Sequence, residues 1–309
     1  MIISPKKVDY ADCFQGLIRL IIENKGLSPS VMNVSTWGFE YSEGVDFDIP
    51  KKSLFGVLEK YYGLRSRRFY LKSYDEYMDN IRSFVNSDNN YVLLKVNIDT
   101  CVWNKLAEKS DIFHFLLITD YNEDGIIKCI DIFYPEEYHT YDLKSNAEKC
   151  RKITIIEDVG KMETDPEEIK KELIESIKQQ LCRKPGPVEM LRSFADSDFL
   201  AEVFGCGNTG MYDRFQLSAK RLTIARQDIC NILKNVIVLA DEEIIACWEA
   251  LAREWRKFEN YLIKNQLAPS RRESLIQRTR DLLNKIADTE EKLIIETLYA
   301  LEGKRTYEG

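Results

Sequence analysis

The sequence predicts an α+β fold in which an antiparallel sheet, introduced by helices, occupies the first half and helices alone occupy the second. Three observations predict it. Between residues 91 and 157 the chain carries short runs rich in β-branched and aromatic residues (YVLLKVNI, FHFLLITD, IIKCIDIF and KITIIE). Two of these runs are joined by Asn122-Glu123-Asp124-Gly125, which has the chemistry of a hairpin turn. From Asp165-Pro166 onward the apolar residues recur at helical spacing.

Residues 13–24 (CFQGLIRLIIEN) form the first expected helix. Asp12 stands at the N-cap, Gln15 at the third helical position, and Gly26 at C′. Helices are next expected at about 52–62, ended by Gly63, and 74–86. Strands follow at 91–98, 113–120, 126–133 and 152–157. The second half reads as helices at 166–181, 188–204, 211–235, 241–265 and 270–302, the last broken near Asp288. Asp158, Gly160 and Pro166 interrupt the pattern, so the expected domains are 1–160 and 161–309.

Composition narrows the function classes. At 309 residues, with 44% hydrophobic and 31% charged side chains, the chain has the makeup of a folded soluble protein in two domains. No apolar run approaches the roughly 20 residues needed to span a bilayer, and MIISPKKVDYADC does not read as a secretory leader. The eight cysteines contain no C-x-x-C pair, so they read as reduced thiols in a cytoplasm. A net charge of −7 argues against a general nucleic-acid binder. Neither a membrane nor a nucleic-acid partner is expected.

The residues that carry chemistry are few. A thiol is a good nucleophile only as thiolate, which the unsatisfied amides and dipole of a helix N-terminus favour. Cys13, the first residue of the first helix, occupies such a place, although position alone favours a cysteine that simply packs as a small apolar residue. A cysteine nucleophile needs a base, and there are only two histidines. His114 heads the strand 113–120, and Asp131 lies in the next strand, inside an apolar run where a carboxylate is costly without a polar partner. An even number of loop residues puts the two on one face. With Asn122-Glu123 at the tip they stand directly opposite, their Cβ atoms about 4.5–5.5 Å apart. Hairpin geometry alone leaves a purely structural His–Asp pair equally open. His139, in a tyrosine-rich stretch, reads as a surface or packing residue.

Asp12-Cys13 opening an apolar helix, His114-Phe-Leu-Leu-Ile-Thr-Asp-Tyr opening a strand, and Ile130-Asp131 closing the next one together resemble papain-like cysteine enzymes. The nearest likeness is to bacterial C39-like peptidases and butirosin-type acyltransferases, over residues 9–135. The resemblance implies a papain-like N-terminal domain in which Cys13 attacks an acyl group, His114 moves the proton and Asp131 holds the imidazole. It also implies an acyl or peptidyl carrier protein as donor, its phosphopantetheine supplying the thioester, and a small-molecule amine as acceptor; no cofactor resident in the chain itself is implied. Papain-like enzymes usually carry an oxyanion-hole Gln shortly before the Cys, whereas residues 1–12 hold neither Gln nor Asn. The backbone N–H of Cys13 can serve as one donor.

Triad chemistry serves an amide-forming acyltransferase and a cysteine peptidase or hydrolase alike, and an inactive binding module is a third reading. Weaker signals have plainer alternatives. Phe204-Gly205-Cys206-Gly207-Asn208-Thr209-Gly210 lacks phosphate-loop spacing and reads as a turn between helices. Arg65-Ser66-Arg67-Arg68 reads as a solvated loop or a docking site for an acidic carrier protein or its phosphopantetheine phosphate. The aromatic segment Ser35 to Tyr41 lines an acyl channel beside Cys13 or is ordinary core, and Trp248, Trp255 and Phe258 read as helical core.

Overall fold

The computed structural model describes residues 3–8, 12–36, 38–43, 45–49, 54–103, 113–160, 165–205 and 209–304. In chain order the elements are α1 (Cys13–Asn24), β1 (Glu40–Ser42), β2 (Asp46–Asp48), α2 (Leu54–Tyr62), β3 (Leu64–Phe69), α3 (Tyr74–Val85), β4 (Asn90–Asn97), β5 (Phe113–Tyr121), β6 (Ile126–Ile130), β7 (His139–Asp142), α4 (Leu143–Asn146) and β8 (Cys150–Asp158). There follow α5 (Pro166–Leu181), α6 (Pro187–Asp196), α7 (Asp198–Gly205), α8 (Thr209–Asn231), α9 (Glu242–Leu267) and α10 (Arg272–Leu301). The protein is thus mixed α and β, with an antiparallel six-stranded sheet in the N-terminal half and a helical C-terminal region. No described helix is long and apolar enough to cross a membrane.

The chain divides into two compact units: Met1–Pro29 with Ser53–Glu163, and Ser30–Lys52 with Thr164–Gly309. A single cut near residue 160 does not capture the excursion 30–52, which belongs with the helical half.

The first unit is built on the sheet β3-β8-β4-β5-β6-β7, in which every neighbouring pair is antiparallel. One face carries Val92, Leu94, Val96, Leu116, Ile118, Ile153 and Ile155, packed with Tyr77, Met78 and Ile81 of α3. Helix α1 is fully buried over Leu17, Ile18, Leu20, Ile21 and Ile22. Its end is a Schellman turn: Leu27 N–H reaches Ile22 O, Gly26 N–H reaches Glu23 O, and Gly26 takes the positive φ of 74° that a Cβ would penalise. Two strands of this sheet were not foreseen, nor were β1 and β2 of the second unit. The segment read as a basic loop at 65–68 is the edge strand β3, where charge is a normal way to blunt an open edge. The other is the short strand β7, which carries His139.

In the second unit β1 and β2 form a two-stranded ribbon whose aromatic residues complete the helical core. Phe39 is fully buried and stacks on Trp255 at 6.0 Å, and Phe47 lies 4.7 Å from Phe194 and 5.6 Å from Phe215. The described part of the segment 35–41 is therefore core rather than acyl channel, while Trp37 lies outside the described residues. Glu40 pairs with Arg183 at 2.8 Å and Asp48 with Arg221 at 2.7 Å. The helix expected at 188–204 is two helices, because Ser197 is extended and its hydroxyl accepts from Leu200 N–H. The expected break near Asp288 is absent: α10 contains neither Gly nor Pro and runs unbroken through it. The 205–210 segment connects α7 to α8, with residues 206–208 outside the described residues.

One buried ion pair joins three of these helices. Arg226 of α8 binds Glu290 of α10 through two hydrogen bonds, 2.9 and 3.1 Å, and Trp255 of α9 donates its indole N–H to the same carboxylate at 2.8 Å. Both charged side chains are 1% exposed, so removing one strands the other. Glu290→Ala is expected to lower stability by about 3–5 kcal/mol in a denaturant titration, whereas a loss below about 1 kcal/mol would show that Arg226 finds another partner.

Candidate active site

Cys13 is at the start of α1 because Asp12 caps it. The Asp12 carboxylate accepts the Gln15 N–H at 2.8 Å, and the first intrahelical bond runs from Gly16 N–H to Asp12 O. The Cys13 N–H therefore precedes the helical ladder and faces outward along the dipole, where an anion is favoured. Cys13 itself is half-buried. Phe14 beside it is held between Phe115 at 5.0 Å and Phe55 at 5.8 Å.

His114 and Asp131 are brought together by the β5–β6 hairpin, though not in the register the sequence suggested. The turn has three residues at its tip: Asn122 N–H donates to Ile126 O at 2.9 Å, and Gly125 takes φ 85°. A Cβ on Gly125 would meet the Tyr74 hydroxyl at 2.6 Å. This turn sets the pairs Tyr121↔Ile127 and Asp120↔Lys128, which continued unchanged would bring Asp131 level with Leu117, on the face away from His114. A bulge at Thr119 inserts one unpaired residue, and beyond it the pairs are Ile118↔Cys129 and Leu117↔Ile130. Asp131 is thereby level with Leu116, two residues along from His114 and on its face. The two are diagonal neighbours rather than directly opposite.

The strand expected to reach 133 ends at Ile130 because Asp131 replaces the ladder with a turn. Its carboxylate accepts the Phe133 N–H at 2.8 Å, and its carbonyl accepts the Tyr134 N–H at 3.1 Å, just before Pro135. The turn folds Phe133 back so that its ring stacks on His114, centroids 4.8 Å apart and planes 20° from parallel. Phe133 is 37% exposed and His114 only 1%, so the ring covers the imidazole from solvent.

The Asp131 carboxylate, fully buried, is saturated with donors. His114 Nε2 lies 2.8 Å from Oδ1, and the Trp103 indole N–H donates to Oδ2 at 2.9 Å. Trp103 is itself held flat against His139, centroids 4.7 Å apart, and His139 Nε2 lies 2.9 Å from Tyr134 O. His139 is thus a packing residue of this network. Because Nε2 is committed to Asp131, only the Nδ1 edge of the His114 ring is left for Cys13, which is among the groups that raise the imidazole pKa. The three residues singled out from the sequence lie together. Trp103 and Phe133 were missed: nothing in sequence spacing ties Trp103 to Asp131, although a buried indole N–H requires an acceptor.

Electrostatics follow from this packing. Burial, the largest single influence on His114, disfavours its charged form, but the hydrogen bonds to Asp131 and Cys13 and the charges of both outweigh it and raise the imidazole to about 9. For Asp131 burial again acts to raise the pKa, and the His114 bond and charge, then Trp103 and the Phe133 amide, bring it below the usual carboxylate value. The arrangement therefore favours the charged, imidazolium form of His114 beside the Asp131 carboxylate. Deeper in the sheet, Cys129 and Cys150 are buried thiols whose pKa values burial pushes up, Cys150 to about 11, which leaves them inert as nucleophiles. Among the described residues no group of three or more His, Cys, Asp or Glu side chains is placed to hold a metal ion. Compared with known proteins, the chain matches no family model and no curated protein.

The His114 shift has a defined sign. A raised pKa contributes stability fully below about pH 6.5 and loses it as pH rises through about 9; the lowered Asp131 pKa contributes above its unfolded value of about 3.9 and loses it as pH falls through the folded one. The His114 ring, followed by NMR, is expected to titrate near 9. In Asp131→Asn its midpoint is expected to fall, since two of the upward influences are removed. A wild-type midpoint near 6.5, unmoved by the substitution, would show that the ring is not held between Asp131 and Cys13.

Proposed function

We propose that the protein is a papain-like cysteine acyltransferase that forms an amide. An acyl group carried as a thioester on the phosphopantetheine of an acyl or peptidyl carrier protein passes to Cys13 and then to a small-molecule amine. One observation carries the reading: a thiol at the start of a buried helix acts on an imidazole whose Nε2 is fixed on a buried carboxylate. In length and in its all-helical second half the chain also resembles closthioamide synthetase. That likeness narrows the donor to an aromatic, thioamide-bearing acyl chain and the acceptor to diaminopropane, capped at both amines in thioamide antibiotic assembly.

In the first half-reaction the Cys13 thiolate bonds to the thioester carbonyl carbon while the N–H of Cys13 faces the developing oxyanion. The bond to the carrier sulfur breaks, and that sulfur leaves as a thiol with the proton of His114. Acylation removes the negative charge of Cys13, one of the influences that raise the His114 pKa, so the ring is left neutral. In the second half-reaction it takes a proton from the attacking amine, the amide forms, and the Cys13 thiolate leaves beside a restored imidazolium. Water in place of the amine would make the same machinery a cysteine peptidase or hydrolase. A bound amine held at high effective concentration and an imidazole shielded by Phe133 favour transfer.

Intact-mass spectrometry after loading with an acyl carrier-protein thioester tests this. The adduct is expected on wild type and absent from Cys13→Ala, to persist in plain buffer, and to discharge as amide when a diamine is added. Asp131→Asn is expected to slow loading less than His114→Ala, because an amide still orients the ring. Rapid release as free acid would replace transfer by hydrolysis, and an adduct retained by Cys13→Ala would reject the nucleophile.

A further inference from the structure

On the sheet face that meets α1 and α2, three cations stand together without a counter-charge. Lys95 of β4 and Lys152 of β8 are directly opposite each other, a like-charge pairing that costs stability unless something offsets it. Arg68 of the neighbouring strand β3 lies one step further along, opposite Thr154. Lys95 and Lys152 are half-buried, and among the described residues none of the three forms an ion pair. Arg65 and Arg67 on the same strand differ in this, since they bind Glu59 at 2.8 Å and Glu157 at 3.4 Å. Burial and then the charges of Arg68 and Lys95 hold Lys152 below its ordinary pKa, as expected of cations that crowd one another.

The cluster surrounds an aromatic floor that ends at the nucleophile. Lys95 and Lys152 lie 6.0 and 5.6 Å from the Phe115 ring, and Arg68 lies 4.3 Å from the Phe55 ring. Both rings contact Phe14, the residue next to Cys13. We propose that Arg68, Lys95 and Lys152 form the subsite for the phosphate of the phosphopantetheine arm that presents the acyl thioester to Cys13. This rests on the acyl-transfer reading above. A phosphodiester supplies the missing negative charge and accepts from all three side chains, the guanidinium among them. The arm between its phosphorus and its sulfur spans roughly 15 Å, about four extended residues, enough to cross Phe115 and Phe14 and deliver the thioester to the helix start. Its methylated, apolar portion then lies against the aromatic rings.

The test is single-turnover acylation of Cys13, read by intact mass, with one acyl group carried on phosphopantetheine or on pantetheine, which lacks only the phosphate. At subsaturating concentration wild type is expected to react about tenfold or more faster with the phosphorylated donor. In Lys95→Gln/Lys152→Gln the rate with acyl-phosphopantetheine is expected to fall towards that with acyl-pantetheine. The melting temperature should not drop, because a repulsive pair is removed. Arg68→Gln, at an exposed site, tests the same loss without touching the buried rows. Equal wild-type rates with the two donors would overturn the phosphate subsite and leave acyl transfer standing, as would a preference that survives all three substitutions. Acylation by neither donor would overturn both.

Discussion

The hydrogen bond between His114 and Asp131 is the interaction on which the rest of the site depends. A carboxylate with no exposed surface is tolerable only if donors surround it, and Asp131 has three: an imidazole, an indole and a backbone amide. Each donor fixes another part of the site. The amide bond creates the turn that lays Phe133 over the imidazole, and the indole anchors Trp103 against His139. The imidazole bond decides which ring edge faces Cys13. Remove the carboxylate and the charge logic, the ring orientation and the cover are lost together.

A single extra residue makes that bond possible. The three-residue turn alone would put Asp131 on the wrong face, and the Thr119 bulge reverses the parity before the strand ends. Bulges beside chemically important side chains commonly re-aim them in this way. The electrostatic result is an imidazolium between a carboxylate and a thiol, strongest between the depressed titration of Asp131 and the raised one of His114.

Much of this was legible in the sequence where the signals are local. Asp12 and Gly26 bound α1 because capping depends on a few adjacent residues. The polar tip before Gly125 marked the hairpin, and a lone carboxylate in an apolar run demanded a partner on the facing strand. The bulge was not legible: it balances the turn geometry against the burial of Leu116 and Ile118, and a period-2 pattern does not show one unpaired residue. Strand β3 escaped notice because an edge strand with three arginines has the composition of a loop. The excursion 30–52 escaped because Phe39 and Phe47 meet partners near 194, 215 and 255, a distance that local periodicity does not reach.

The central proposal is that His114, held by Asp131, activates Cys13 as a nucleophile. Its most direct measurement is the rate of alkylation of each cysteine at neutral pH, resolved by peptide mass mapping, with exposed Cys182 as the internal reference. In wild type Cys13 is expected to react at least about tenfold faster than Cys182 despite being less exposed, and to lose that advantage in His114→Ala. A Cys13 that reacts no faster than Cys182, or one whose rate is indifferent to His114, would contradict the account.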